Sequence, residues 1–304
     1  MCRWFTQPPF TWTISGCKNF LVVLLSLLLR VLSSALIHSM IKGVVEMSEI
    51  ELNQTITRRG LMKCAAAVTG ASALSGCATV SQASTGAIRT TLEAKDVILF
   101  QGDSITDAGW DKKNSNASDF NALGRGYANM ISSGLLGRHA TLSLQCYNRG
   151  YGGHKVPDLQ KRWQKDTIKL KPAVLSILIG VNDYWHMKNG NYDGTVADYE
   201  QGFTKLLADT RAALPTTRFV ICEPFLLPCG AVKDSWPGEF AARRAVARRV
   251  SDAAGATWVP FQSMFDAVIS ESTPPAYWAS DGVHPTMAGH ALMARTWLDV
   301  TGLG

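Results

Sequence analysis

The sequence predicts an α/β fold: a three-layer α/β/α sandwich around a five-stranded parallel sheet. Three observations carry this. From Asp96 onward, short β-rich apolar runs recur, as strands buried on both faces require. Between them lie stretches with helical apolar spacing and polar residues opposite. Strand and helix alternate, so right-handed crossovers place helices on both faces of the sheet. With 46% hydrophobic and 18% charged residues, the 304-residue chain is globular in composition, which excludes disordered, collagenous and coiled-coil architectures.

Charge narrows the partners. The chain carries 30 Lys and Arg against 24 Asp and Glu, a formal net charge of +6. Seven of the bases but three of the acids lie in residues 1–76, so the rest is close to balance. No nucleic-acid-binding surface is indicated.

In chain order, the first elements concern address. Residues Phe20–Ile41 include the run FLVVLLSLLL and match the ~20 residues of a membrane helix. Arg30 near the middle costs about 2.5–3.5 kcal/mol there. Residues 1–46 are therefore read as an upstream extension ahead of a start at Met47, or as a membrane anchor. Residues 47–76 read as an export leader: Arg58-Arg59, Leu61, Lys63 and an Ala-rich stretch resemble a twin-arginine signal. Leu74-Ser75-Gly76-Cys77 resembles a lipobox, whose cysteine becomes lipidated. Residues 77–95, rich in Ser, Thr and Ala, read as a linker. The expected location is outside the cytoplasm, periplasmic or lipid-anchored, with membrane contact only through this N-terminal part.

The body, residues 96–304, supplies the sheet. VILF (97–100), VLSILI (174–179) and FVI (219–221) are the clearest strands, and TLSLQCY (141–147) and TWVPF (257–261) are weaker ones. Val196, Tyr199, Phe203, Leu206, Leu207 and Leu214 form a helical stripe. GEFAARRAVARRVSDAAG (238–255) is a second helix whose four arginines suggest a solvated face, and a third runs from Thr286 to Val300. Seven cysteines without a CxxC pair argue against zinc or redox sites of that type, and Cys222 and Cys229 could bridge in an exported chain.

Four blocks follow predicted strands, where the crevice of such a sheet lies. Gly102-Asp103-Ser104-Ile105-Thr106-Asp107 places a serine on a tight turn; alone it is a common turn, and the G-x-S-x-G elbow is absent. Asn148-Arg149-Gly150-Tyr151-Gly152-Gly153 lets backbone N–H groups approach a ligand, but lacks phosphate-loop spacing. Gly180-Val181-Asn182-Asp183 offers an amide that can donate to a developing negative charge or cap a turn. In Asp281-Gly282-Val283-His284-Pro285, an acid three residues before a histidine can hold one ring nitrogen and leave the other as a base. His154 and His186 read as pocket walls, and His290 as inert.

Taken in this order, Ser, Gly, Asn and Asp-x-x-His closely resemble the SGNH hydrolases, or GDSL esterases, over roughly residues 96–303. Ile105 stands where the family name has leucine. GRGYANMI, RWQKDTIKLKP, IGVNDYW and VHPTMAGH look most like the acetylxylan-esterase branch. The resemblance implies a flavodoxin-like sandwich and a carboxylic ester hydrolase without metal or organic cofactor. It implies Ser104 as nucleophile, His284 as general base and acid, and Asp281 as the group that orients it. An oxyanion hole would comprise the Ser104 and Gly153 N–H groups and the Asn182 amide.

Acetylated saccharides are the expected substrate, since Trp110, Tyr184, Trp185, Trp236, Tyr277 and Trp278 lie near the blocks. Packing explains such aromatics equally well. A broad arylesterase, thioesterase or lysophospholipase, a dead binding module and a nucleotide-binding flavodoxin-like protein are the alternatives, and self-association is left open.

Overall fold

The structure, a computed structural model, describes residues 91–304. The readings for residues 1–46 and 47–76, and for most of the 77–95 linker, lie outside the described residues. Five strands form one parallel sheet in the order β2-β1-β3-β4-β5. They are β1 (Val97–Gly102), β2 (Gln145–Gly150), β3 (Val174–Leu178), β4 (Arg218–Cys222) and β5 (Thr257–Val259). This is the flavodoxin-like order, with its switch point between β1 and β3.

Helices α1 (Ser104–Asp107), α2 (Phe120–Leu123) and α3 (Tyr127–Arg138) connect β1 to β2, and α4 (Val156–Asp166) connects β2 to β3. Helices α5 (Val181–Lys188) and α6 (Val196–Ala213) precede β4, and α7 (Trp236–Ala253) precedes β5. Helices α8 (Phe261–Val268), α9 (Pro275–Trp278) and α10 (Met287–Thr301) complete the chain.

Strand side chains alternate between two cores, as the period of two demands. Ile98, Phe100, Val174, Leu178 and Val220 pack with α3, α8 and α10, around Tyr127, Phe261 and Trp297. Leu99, Leu175, Ile177, Phe219 and Ile221 pack with α4, α6 and α7, around Trp163, Phe203 and Val246. Leu92, late in the expected linker, also packs against the first core.

Helix starts follow their local chemistry. Thr195 accepts from the Asp198 N–H at 3.1 Å while the Asp198 carboxylate accepts from the Thr195 N–H at 2.8 Å, a reciprocal cap for α6. Thr286, expected as the first residue of the last helix, instead caps α10 by accepting from Gly289 N–H at 3.2 Å.

Two expectations change, and the open question of a Cys222–Cys229 bridge is answered. The strand sought at 141–147 lies at Gln145–Gly150, because Ala140–Leu142 coils into a tight turn and Ser143 takes a left-handed backbone (φ 49°). Strand pairing then starts at Gln145 opposite Val97, and Asn148 and Arg149 belong to the strand. The arginines of α7 divide. Arg248 and Arg249 pair at the surface with Asp252 and Glu200, but Arg243 is buried, with Nη2 donating to the Gly194 carbonyl at 3.2 Å. Arg244 binds the buried Glu223 carboxylate at 3.0 Å. Cys222 and Cys229 are unbridged: the first lies 3.6 Å from Ser176 Oγ, and the second donates to the Ala279 carbonyl at 3.1 Å.

Trp297 ties the last helix to the sheet. It is fully buried, packs 5.9 Å from the Phe100 ring and donates from Nε1 to Ser176 Oγ at 3.0 Å. Trp297→Ala is expected to lower unfolding free energy by about 3–5 kcal/mol, read from the shift in a urea midpoint.

Candidate active site

The first block forms a turn that allows no extra atom. A Cβ on Gly102 would overlap the Thr106 side chain and the Leu178 carbonyl, so glycine is required there by close approach. Asp103 caps α1, accepting from the Ile105 N–H at 3.0 Å, and is fully buried. Burial pushes its carboxyl up to about 7, although the Ile105 N–H and a charge on His284 both pull it down. Ser104 is then the first residue of α1, where a backbone N–H has no partner within the helix.

Ser104 faces the last block. Its Oγ is 2.8 Å from His284 Nε2, and His284 Nδ1 is 2.6 Å from Asp281 Oδ2. The other oxygen, Oδ1, accepts from the backbone N–H groups of Val283 at 2.9 Å and His284 at 2.7 Å. Asp281 thus holds the histidine by its ring and its backbone together. Partial burial opposes ionisation of this carboxyl, but those hydrogen bonds outweigh it and keep its pKa below the usual range. The loop rests on the segment after β4: Leu227 N–H donates to the Gly282 carbonyl at 2.9 Å and Ala231 N–H to that of Asp281 at 3.1 Å. With its proton on Nδ1, His284 donates to Asp281 and can accept the serine proton at Nε2.

The second and third blocks meet beside the serine. A Cβ on Gly152 would lie 3.9 Å from Ser104 Cβ, and one on Gly153 would lie 3.7 Å from His186 Nε2. Gly153 has φ 75°, a left-handed conformation that favours glycine. Asn182, in the first turn of α5, donates from Nδ2 to the His154 carbonyl at 3.2 Å, which seats its amide against the glycine loop. Among the described residues, the N–H groups of Ser104 and Gly153 have no hydrogen-bond partner in the protein. All five site residues expected from the sequence, Ser104, Gly153, Asn182, Asp281 and His284, therefore occupy one crevice at the carboxyl ends of β1, β2 and β3.

The neighbouring residues divide by role. Trp110, Tyr184 and Trp236 are buried packing residues, whereas Trp185 and Trp278 are half-buried and Tyr277 is 52% exposed. His154 stacks under Tyr151 with ring centres 5.2 Å apart and accepts from Arg162 Nε at 3.2 Å. Burial, then the Arg162 charge, lower its pKa.

Two acids escaped attention as supports. Asp107 accepts from the Gly152 N–H at 3.1 Å and pairs with Lys112. Asp183, 1% exposed, accepts from the Val156 N–H at 3.1 Å. Burial pushes the Asp183 carboxyl up to about 7 against the pull of that N–H and of Arg243. Their only signal was position, three residues after Ser104 and one after Asn182.

Comparison with known proteins agrees with this geometry. Residues 100–292 match the GDSL-like lipase/acylhydrolase family. A curated acetylxylan esterase from Geobacillus stearothermophilus is 31% identical over 211 residues, 67% of this chain and 93% of that protein. A crystal structure of a GDSL-like protein from Parabacteroides merdae aligns with a TM-score of 0.69 at 45% identity, covering 71% of this chain and all of the other. The acetylxylan esterase Axe2 from Geobacillus stearothermophilus aligns with a TM-score of 0.62 at 31% identity, covering 69% and 95% of the two chains.

His290 borders the site without joining it. Its Nδ1 accepts from the Tyr127 N–H at 3.1 Å, and burial, then the charge on His284, lower its pKa to about 4. The folded pKa lies below the ordinary value of 6.5, so between these limits the unfolded chain binds the extra proton and acid favours unfolding. Stability should therefore fall as pH drops from about 6.5 to 4, by up to about 1.4 kcal/mol per pH unit from this group. His290→Asn, which keeps an acceptor but does not titrate, should flatten that part of the profile in denaturant titrations.

Proposed function

This chain belongs to the GDSL-like lipase/acylhydrolase family and is a carboxylic ester hydrolase, and we propose that Ser104, His284 and Asp281 cleave small acyl esters, chiefly acetyl, from saccharides. The observation that carries the reading is the relay from Ser104 Oγ to His284 at 2.8 Å and on to Asp281 at 2.6 Å.

His284 Nε2 takes the Ser104 proton as Oγ attacks the ester carbonyl carbon. The oxyanion that forms is held by the Ser104 and Gly153 N–H groups and the Asn182 amide. Collapse breaks the bond to the sugar oxygen, which receives the proton from His284 and leaves as the free hydroxyl. The acyl-Ser104 ester remains. Water, losing a proton to His284, then attacks the acyl carbon; Ser104 regains its proton and the carboxylic acid departs. Asp281 keeps Nδ1 as the donor and stabilises the imidazolium in both half-reactions.

Several features support a small acyl group on a bulky alcohol. The His284 and Asp281 side chains are 52% and 42% exposed, so a saccharide can approach the site from solvent. Tyr277 and Trp278 stand on α9, just before the loop of Asp281 and His284, and Tyr277, 52% exposed, can offer an apolar face to a sugar ring. The apolar cavity of about 280 Å³ lined by Leu207, Phe219, Val250 and Ala254 lies near the start of β4, at the opposite end of the sheet from Ser104, and so takes no acyl chain. The relative that is an acetylxylan esterase supports the same substrate class.

For address, the reading of Arg58-Arg59 and Cys77 supports export and lipidation. Cys77→Ser should release active enzyme from the membrane fraction; unchanged partitioning would overturn the lipid anchor.

Ser104→Ala should abolish hydrolysis of p-nitrophenyl acetate while leaving the thermal midpoint nearly unchanged. Asn182→Ala should lower kcat by about 10²–10³ with a smaller change in KM. Acetyl release from acetylated xylooligosaccharides should exceed cleavage of p-nitrophenyl esters with chains of eight or more carbons. A preference for long chains would replace the saccharide reading with a lipase one.

A further inference from the structure

We infer that Asp183 is a positioning residue for acyl transfer: it fixes the exit of the glycine loop and thereby the placement of Gly153 against Asn182. The inference rests on the oxyanion-hole reading of those two residues.

Two consecutive residues of α5 grip the loop. Asn182 Nδ2 donates to the His154 carbonyl at 3.2 Å, and Asp183 Oδ1 accepts from the Val156 N–H at 3.1 Å. The two bonds straddle Lys155. A single bond would leave the loop free to pivot, whereas two bonds of opposite polarity, one residue apart on the helix, fix its direction. The loop entry is held separately, by Tyr151 N–H on the Gly102 carbonyl at 3.1 Å and Gly152 N–H on Asp107 at 3.1 Å. Gly153 lies between these clamps, so its free N–H points where they aim it.

The cost of placing an acid there supports the role. Asp183 is 1% exposed, and its Oδ2 has no hydrogen-bond partner in the protein. A buried polar atom left unpaired is destabilising, which an arrangement built for stability alone would avoid. The Arg243 guanidinium, buried on α7, and after it the Lys155 ammonium offset its charge. Burial is what pushes this carboxyl up, against the pull of the Val156 N–H and Arg243. Oδ1 can accept from Val156 in either protonation state, and an asparagine carbonyl can do the same.

The test is a double-mutant cycle on p-nitrophenyl acetate hydrolysis, with thermal midpoints measured alongside. Asp183→Ala should lower kcat about 30–100-fold with KM within about threefold, since a displaced donor fails mainly in the transition state. Asp183→Asn should restore kcat to within about fivefold of wild type through its carbonyl acceptor. In an Asn182→Ala background, Asp183→Ala should cost at least about fivefold less than it does alone, because one of the donors it places has gone. Should Asp183→Ala fail to fold, Val156→Pro removes the donor instead. Proline suits the first turn of a helix, and Lys155 already has the extended backbone that must precede it. Losses that multiply independently of Asn182, an asparagine variant no better than alanine, or a fall in thermal midpoint with kcat intact would overturn the inference. If Asn182→Ala itself leaves kcat unchanged, the oxyanion-hole reading fails instead.

Discussion

The close approach of backbone to backbone at the carboxyl end of β1 sets the level of the whole site. Gly102 pairs with Gly150 on one side and with Leu178 on the other. A Cβ on Gly150 would overlap the backbone around Thr106 and Asp107, just as one on Gly102 would overlap Thr106 and Leu178. The first turn of α1 therefore sits directly on the ends of two strands. Three chain segments leave the sheet at one height, and loops of a few residues then bring a hydroxyl, a glycine N–H and an amide together.

Around this level, polar groups are distributed by exposure. Of the groups that would exchange protons, His284 is exposed and Ser104 half-buried, as is Asp281. The acids that support them are deeper. Asp103 and Asp183 are almost wholly buried, each with one oxygen unpaired and each shifted to about 7. Asn148 shows the satisfied version of the same strategy. Its amide donates to the carbonyls of Thr106 at 2.6 Å and Leu123 at 2.9 Å, and its oxygen accepts from the Gly150 N–H at 2.8 Å. Such local bonding leaves little freedom in the turns that carry the reacting groups.

Much of this was legible in the sequence because it depended on short-range pattern. VILF and FVI are fully apolar, and VLSILI is so but for Ser176, because both sheet faces are covered, and the first and third blocks follow VILF and VLSILI closely in sequence. Ser104, Asn182, Asp281 and His284 could be found because serine, amide and acid–base chemistry each need a particular side chain. Asp183 could not, since its meaning lies in an N–H contributed by Val156, 27 residues earlier. Arg243 was hidden for a related reason: α7 places it beside Arg248 and Arg249, which pair with surface acids, and Arg244, which reaches Glu223, and only the packing of α7 against Tyr184 and Asp183 separates it from them. Strand β2 was misplaced because Ser143 breaks an apolar run through a backbone angle that its side chain does not announce. The six aromatics near the blocks divided into packing and exposed residues on burial alone, which tertiary contacts decide.

Ser104 and His284 stand 180 residues apart in the chain, and the base belongs to the final loop before the last helix. On a ribosome, the serine turn and both oxyanion segments emerge long before the histidine that would activate the hydroxyl. A growing chain therefore carries an unactivated alcohol, chemically no different from any surface serine. The base takes its place only with the loop that rests on the segment after β4 and leads into α10, the helix that Trp297 ties to the sheet. The order of synthesis thus orders the chemistry, and a chain cut short before His284 holds the serine turn without the base that faces it.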